Sequence, residues 1–360
     1  MHTHPDIPIS TTYFIRTFGC QMNVADSQDY ALALERLGCA QAVSDQSCDI
    51  LVINTCSVRA RAEERAISYV GEIIAKRGCF TAGMIAIVGC MATVRGDEIR
   101  RRFPQVRLVL PATEHDSFED RILAAWPHLL TASPAIRDTR PETKFERFVP
   151  IIRGCANRCT YCIVPAARGG DIISRTPQEI INEIGYLIDG GVKSINLLGQ
   201  NVCAYGKDPA RPPGWERISP DFAFPDLLEQ IRDTFADRGV WFKFLTSHPR
   251  DVSEELINVV SSHPCFSRHF HLPLQAGDND VLRRMGRGYT SEKYLALIEM
   301  IRSKIPDMRL TTDLIVGFPG EDQPAFEHTL DMVRQIRFDS AFTFLYSPRS
   351  GTPAFKWADP

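Results

Sequence analysis

Three cysteines constrain the fold of this chain more than any other feature. Cys20, Cys56 and Cys90 each close an apolar run (YFIRTFGC, DILVINTC and MIAIVGC), and they follow one another at intervals of 36 and 34 residues. Each interval is close to the length of one strand–helix–strand unit, roughly 30 residues or more. The β-rich runs YFIRTFG, DILVINT, MIAIVG and VRLVLPA alternate with SQDYALALERLG and VRARAEERAISYVGEIIAKRG, whose apolar residues recur at helical spacing. Gly78 reads as the C-cap of the second helix. This alternation predicts a parallel sheet with crossover helices. All three cysteines then fall on its carboxyl edge, where open α/β sheets hold ligands.

A stretch rich in Thr, Pro and charge, TASPAIRDTRPETKFE, reads as a linker over 131–146, after a first domain at 10–130. From 147 to 360 the alternation resumes with RFVPIIRG, SINLLGQ, VWFKFLTS, RHFHLPLQ, RLTTDLIVGF and DSAFTFLYS. Helical patterns such as TPQEIINEIGYLIDGG and SEKYLALIEMIRSKIP separate most of them. Six β/α units suggest a partial TIM-type barrel, with functional groups at the carboxyl ends of its strands. The Pro-rich segment YGKDPARPPGWERISPDFAFP is a long insertion of the kind that is functional or mobile.

A net charge of −3 offers no global attraction to polyanions, so nucleic acid would have to be met by a local basic patch. Arg100, Arg101 and Arg102, the run Arg283, Arg284 and Arg287, and Arg59, Arg61, Arg168 and Arg175 are candidates for phosphate contact; each also reads as part of a solvated helix face. No apolar stretch approaches bilayer-spanning length, and the start MHTHPDIPISTT lacks the form of a signal peptide. A cytoplasmic location without membrane contact is expected. There, eleven cysteines point to metal or catalytic roles more than to disulfides. Cys39, Cys48, Cys79, Cys203 and Cys265 read as small apolar residues.

Cys155, Cys159 and Cys162 form a second, compact set inside RGCANRCTYCIVP, directly after a strand. Structural zinc normally takes four protein ligands, and this loop has neither a second knuckle nor a histidine. Three thiolates suit a [4Fe–4S] cluster with one exchangeable iron, against structural zinc or inert thiols. The dispersed cysteines suit the same chemistry, against three buried apolar residues at strand ends. Asn23 and Asn54 could donate hydrogen bonds to sulfur there, or simply form turns.

The C-x-x-x-C-x-aromatic-C loop after a first barrel strand resembles the radical S-adenosylmethionine (SAM) superfamily. That resemblance implies SAM chelated at the open iron, a 5′-deoxyadenosyl radical, and an adenine contact from Tyr161. LLGQN, FLTSHP, HLPLQAG and DLIVGFPGE fall near later strand ends and make Gln200, Ser247 and Gln275 candidates for SAM or substrate contacts. TFGCQMN, NTCSVR and GCMA further resemble the methylthiotransferases within that superfamily, and the likeness runs from about residue 12 to the end. TFGCQMN is similar to the tRNA branch acting on isopentenyladenosine. The resemblance implies an α/β architecture: a Rossmann-like parallel-sheet domain followed by a radical SAM partial (β/α)6 barrel.

The same resemblance implies two [4Fe–4S] clusters, one on Cys155, Cys159 and Cys162 and one on Cys20, Cys56 and Cys90, with SAM as both radical source and methyl donor. The expected reaction is 2-methylthiolation of N6-isopentenyladenosine at position 37 of tRNA. Expected partners are the tRNA anticodon stem-loop and a low-potential donor of the flavodoxin or ferredoxin type, with the enzyme a monomer. Alternatives are methylthiolation of threonylcarbamoyl-adenosine or of a ribosomal-protein aspartate, or a non-catalytic Fe–S carrier or tRNA-binding relative. The chain departs from the branch at Ala166 and Ala167, where Tyr-Thr is usual, and in RGGDIISR, one residue longer than usual. It also ends at Pro360, where family members continue into a small TRAM β-barrel, so that barrel is expected to be absent and tRNA affinity reduced.

Overall fold

Near-continuous runs of branched apolar residues send successive side chains to opposite faces of a strand, which is why ILVINT and IAIVG settle in a parallel sheet covered by helices on both faces. The computed structural model describes residues 11–58, 60–81, 84–131, 145–245 and 247–357. It divides into two compact units, Met1–Arg140 and Pro141–Pro360. The linker read at 131–146 lies, over 132–144, outside the described residues, as do Arg59 and the first ten residues.

The first unit carries β1 (Thr12–Phe18), β2 (Ala40–Gln41), β3 (Ile50–Thr55), β4 (Ile85–Gly89) and β5 (Leu108–Pro111) in the order β2-β1-β3-β4-β5, and every pairing is parallel. Its described helices are α1 (Gln21–Arg36), α2 (Ala60–Thr81), α3 (Cys90–Arg102) and α4 (Phe118–Ala125). Ile50, Val52, Ala86, Val88 and Leu110 pack with Leu34 of α1 and Phe118 and Ile122 of α4. Leu51, Ile53, Ile85, Ile87 and Val109 face the other way, onto Ala66, Val70 and Ile73 of α2 and Ile99 of α3. The short edge strand β2 was not legible in the sequence. Helix α2 continues past Gly78, so that glycine is not its cap.

The second unit places all six expected runs as strands: β6 (Glu146–Pro150), β9 (Ser194–Leu198), β10 (Trp241–Phe244), β11 (His269–His271), β12 (Arg309–Val316) and β13 (Ser340–Leu345). Between the first two lie the short β7 (Ile152–Arg153) and β8 (Ile173–Ser174). Two parallel three-stranded sheets, β6-β9-β10 and β11-β12-β13, follow in chain order. Phe242 bridges to Phe266, joining the edge of the first sheet to the run leading into β11. Helices α5 (Val164–Arg168), α6 (Pro177–Asp189), α7 (Phe224–Phe235), α8 (Glu254–Ser262), α9 (Asn279–Arg284), α10 (Ser291–Lys304) and α11 (Gln323–Ile336) supply the crossovers and loop caps. One contiguous core runs from Val149 through Leu197, Phe242 and Phe270 to Leu310.

RFVPIIRG breaks at Ile151 into two strands because β7 leaves the barrel and pairs antiparallel with β8. The cysteine loop is therefore the connection of a two-stranded ribbon. The Pro-rich insertion is not structureless. Tyr205 and Trp215 are buried in the core, Trp215 Nε1 donates to the Ser174 carbonyl (3.2 Å), and Tyr205 Oη donates to that of Arg175 (2.7 Å).

Candidate functional site

Parallel register aligns three strand ends: Phe18 pairs with Thr55, and Thr55 with Gly89. Cys20, Cys56 and Cys90 each leave the sheet one or two residues beyond that row. Cys20 is the N-cap of α1 and Cys90 the first residue of α3, so two helix N-termini favour negative charge on these sulfurs. The Cys56 thiol hydrogen-bonds with those of Cys20 and Cys90; these neighbours, with burial, hold it well above the ordinary thiol range. Cys56 and Cys90 are buried and Cys20 is exposed. The structure thus sets Cys56 beside both other members of the dispersed triad.

A buried amide pair ties the three turns together. Asn23 Nδ2 donates to Asn54 Oδ1 (2.9 Å) and to the Thr55 carbonyl (3.1 Å), while Asn54 Nδ2 returns a bond to the Asn23 carbonyl (2.8 Å). Neither amide donates to sulfur; instead Asn23 Oδ1 accepts from the Cys20 thiol (3.5 Å) and from its backbone N–H (3.3 Å). A donor to sulfur that sequence reading missed is the backbone N–H of Val58, 3.3 Å from Cys56 Sγ. Gly89 closes the arrangement at φ +95°, and a Cβ there would sit 2.5 Å from both Asn54 Oδ1 and the Thr55 carbonyl oxygen.

The compact triad has no regular backbone of its own. Cys159 is buried, with Cys155 and Cys162 half-buried around it. The loop is held at several points by groups distant in sequence. Gly154 N donates to Gln200 Oε1 (2.7 Å), Thr160 N to the Met285 carbonyl (3.0 Å), Thr160 Oγ1 to that of Arg284 (2.8 Å), and Ala354 N to the Thr160 carbonyl (2.9 Å). Gly154, at φ +78°, is pressed against the Asp171 carbonyl, leaving no room for a Cβ. Burial pushes the Cys162 thiol up to about 12 and raises that of Cys155 as well.

The four remaining candidates sit on this loop or at strand ends of the same unit. Tyr161 meets Phe318 edge-on (centroids 6.3 Å apart), and its hydroxyl accepts from Arg287 (3.4 Å). Gln200 spends its carbonyl oxygen on the loop, as above. Buried Ser247 hydrogen-bonds Cys203. Gln275 lies two residues beyond Pro273 in the left-handed region (φ 72°), held there by its backbone bonds to Asp313 and Ile315. Its buried Oε1 has no hydrogen-bond partner.

Among the basic candidates, Arg287 is corrected. It is 4% exposed and cannot reach a phosphate of bound nucleic acid. Arg283 pairs with Asp280, Arg284 lies over Trp357, Arg100 pairs with Asp97, and Arg175 pairs with Glu183. Arg168 ends α5, half-buried.

The donor sets fit iron–sulfur clusters. Each triad offers three soft sulfurs, and buried polar atoms without a hydrogen-bond partner lie at Ser57 Oγ, next to Cys56 in sequence, and at His248 Nε2 and Gln275 Oε1, beyond barrel strand ends. Buried polar atoms left unpaired are costly and suit a bound group that satisfies them.

Residues 149–333 match the Radical SAM superfamily, and residues 12–111 match a family described as Uncharacterized protein family UPF0004. The chain is 43% identical over 356 residues to the tRNA-2-methylthio-N(6)-dimethylallyladenosine synthase of Dictyoglomus thermophilum, covering 96% of this chain and 78% of that protein. It is 42% identical over 359 residues to the synthase of the same name from Desulforamulus reducens, covering 96% and 76%. Among solved structures it is similar to the radical SAM methyltransferase TsrM of Kitasatospora setae, with a TM-score of 0.67 at 13% identity over 96% of this chain and 77% of that one. The cobalamin-dependent radical SAM enzyme OxsB gives 0.62 at 11% identity, over 96% and 54%. At such identities these structures establish the fold alone.

Proposed function

Because the chain belongs to the tRNA-2-methylthio-N6-dimethylallyladenosine synthase family of radical SAM enzymes, we propose that it converts N6-isopentenyladenosine (the dimethylallyl nucleoside under its other name) to the 2-methylthio derivative at tRNA position 37. It is a radical SAM methylthiotransferase that works with two [4Fe–4S] clusters and SAM. One observation carries the assignment of residues: the chain builds two separate three-thiol sites, one in each unit, where a single radical SAM site would need only the compact one.

In this reading Cys155, Cys159 and Cys162 hold the SAM-binding cluster, and Cys20, Cys56 and Cys90 hold the auxiliary one. Bound there, the clusters and SAM supply one-electron sulfonium cleavage, a sulfur donor and a methyl group. The chain's part is positioning. Gln200 and the Arg284–Met285 carbonyls fix the compact loop, and the Asn23–Asn54 pair fixes the dispersed one. Gln275 offers an acceptor at a strand end, suited to an ammonium or hydroxyl donor of SAM; Tyr161, Ser247 and Gln200 complete the proposed SAM contacts. In this proposal the methylthiotransferase domain spans 10–130 and the radical SAM domain 147–360, with 131–146 as the linker. The tRNA anticodon stem-loop is the proposed substrate element. The location is cytoplasmic, the enzyme acts as a monomer, and a flavodoxin- or ferredoxin-type donor supplies electrons. No helix among the described residues is long and apolar enough to cross a membrane.

Mass spectrometry of tRNA nucleosides from a deletion strain tests this. Loss of the 2-methylthio mark with accumulation of unmodified N6-isopentenyladenosine is expected, and an unchanged nucleoside profile overturns the proposal.

A further inference from the structure

The second unit buries a cation with no carboxylate beside it among the described residues. This is Arg287, 4% exposed. Its guanidinium is fully placed nonetheless: Nε donates to Tyr289 Oη (3.0 Å), Nη2 to the Pro273 carbonyl (2.9 Å), and Nη1 to Tyr161 Oη (3.4 Å) and Cys159 Sγ (3.5 Å). Burying an unpaired charge costs several kcal/mol, and carbonyls and phenols return only part of that. The surrounding titratable groups do not offset it. The groups its guanidinium touches are two phenols, a backbone carbonyl and a thiol, none of them a carboxylate.

The local backbone is built to deliver this side chain. Gly286 and Gly288 flank it at φ +70° each, a conformation that favours glycine on both sides. A Cβ on Gly286 would lie 2.9 Å from the Arg158 carbonyl oxygen, so the turn presses directly on the cysteine loop. The carbonyls just before it, of Arg284 and Met285, receive both Thr160 bonds. A Gly-Arg-Gly turn after a short helix thus fastens the loop and inserts a guanidinium against its central cysteine.

We propose that Arg287 is the counter-ion of the cluster held by Cys155, Cys159 and Cys162, and that it favours the reduced state of that cluster. The proposal rests on the proposed assignment of those three ligands. Three thiolates outweigh the positive charge of a [4Fe–4S] core, and taking up an electron deepens the imbalance. A fixed cation at one ligand sulfur, in a low-dielectric site, stabilises the added charge. Hydrogen bonds to cluster sulfurs and local charge are established determinants of cluster potential. Arg287 is therefore a positioning and tuning residue, acting through Cys159.

The test is an EPR-monitored redox titration of the anaerobically reconstituted chain, following the reduced signal that changes when SAM is added. R287Q and R287M are expected to retain wild-type iron, with the compact cluster about tenfold harder to reduce, a shift of about 59 mV to more negative potential. R287K keeps the charge but cannot hold the Pro273 carbonyl and Cys159 sulfur together, so about a threefold effect in the same direction is expected. If the neutral variants do not fold, R287K carries the test. Iron-loaded variants with an unshifted potential overturn the proposal, as does a raised KM for SAM at unchanged potential, which would assign Arg287 to SAM. A wild-type chain that binds no SAM-sensitive cluster overturns the ligand assignment itself, and this proposal with it.

Discussion

The two cysteine triads reach the same stoichiometry by opposite routes. In the first unit each sulfur comes from a different strand, and sheet register does the positioning: Phe18, Thr55 and Gly89 are locked side by side before any cysteine is placed. In the second unit one short irregular loop carries all three, and its shape is imposed from outside by Gln200, Arg284, Met285 and Ala354. The dispersed site therefore inherits the rigidity of a sheet whose central strands, β3 and β4, are fully buried. The compact site depends on contacts that individual substitutions can remove. A loop suits a cluster that must admit and release a cofactor, whereas a sheet edge suits one that must hold its place.

The sharpest way to break this comparison is to remove one sulfur from each site. Cys159→Ala is expected to abolish 5′-deoxyadenosine formation, by about a thousandfold or more, and to lower iron from about eight to about four per chain. Cys56→Ala is expected to lose the same amount of iron, keep SAM cleavage within about threefold of wild type, and form no methylthio product. Chromatography of 5′-deoxyadenosine beside a tRNA nucleoside assay reads both. Variants that fail together, or survive together, would remove the division of labour between the sites.

A smaller change probes how each triad is held. Gly89→Ala would force a methyl group to within 2.5 Å of Asn54 Oδ1 and the Thr55 carbonyl oxygen at φ +95°, in the middle of the amide pair. About 3 kcal/mol of destabilisation is expected, with the auxiliary cluster lost and the compact one retained. Gly154→Ala meets the Asp171 carbonyl at φ +78°, and its damage should stay in the loop, costing compact-site iron while the first unit keeps its stability. Iron content and thermal melting of the two variants separate the cases. If Gly89→Ala disturbs the compact site instead, the claim that the sheet alone sets the dispersed geometry is wrong.

The contrast also explains what could be read from residues alone. Cys20, Cys56 and Cys90 were legible because strand-end position follows from local periodicity, and parallel crossover topology then leaves them one edge to occupy. The compact loop was legible from spacing. Arg287 was misread, since a charged residue in a basic run is ordinarily solvated and only tertiary packing reveals its burial. The bond that Gln200 accepts from Gly154 was not legible, since that partner lies 46 positions away, outside any sequence window. The Pro-rich insertion misled for the same reason. Its composition is that of a loop, while Tyr205 and Trp215 anchor it to β8 and the barrel core. Helix α2 passed through Gly78 because a glycine near a helix end weakens the helix without dictating a stop.

The finest distinction between the sites is electrostatic and appears in how stability depends on pH. In the metal-free chain burial lifts Cys162 from the ordinary value of 9.0 to about 12, and Cys56 is raised further by its thiol neighbours and burial. The unfolded chain releases these protons near 9.0 while the folded chain retains them. Stability from this source is therefore complete below pH 9.0 and is lost as pH rises toward the folded value. About 1 kcal/mol is expected from Cys162 by pH 10, seen as a fall in the urea midpoint under anaerobic conditions. Cys39, raised to about 11, and Cys203, raised to about 12, act in the same direction but belong to neither triad. Cluster reconstitution binds the triad sulfurs as thiolates and should cancel their share, leaving the slope due to Cys39 and Cys203. A slope that reconstitution does not change would mean that these sulfurs remain protonated in the loaded protein, which is incompatible with their serving as ligands.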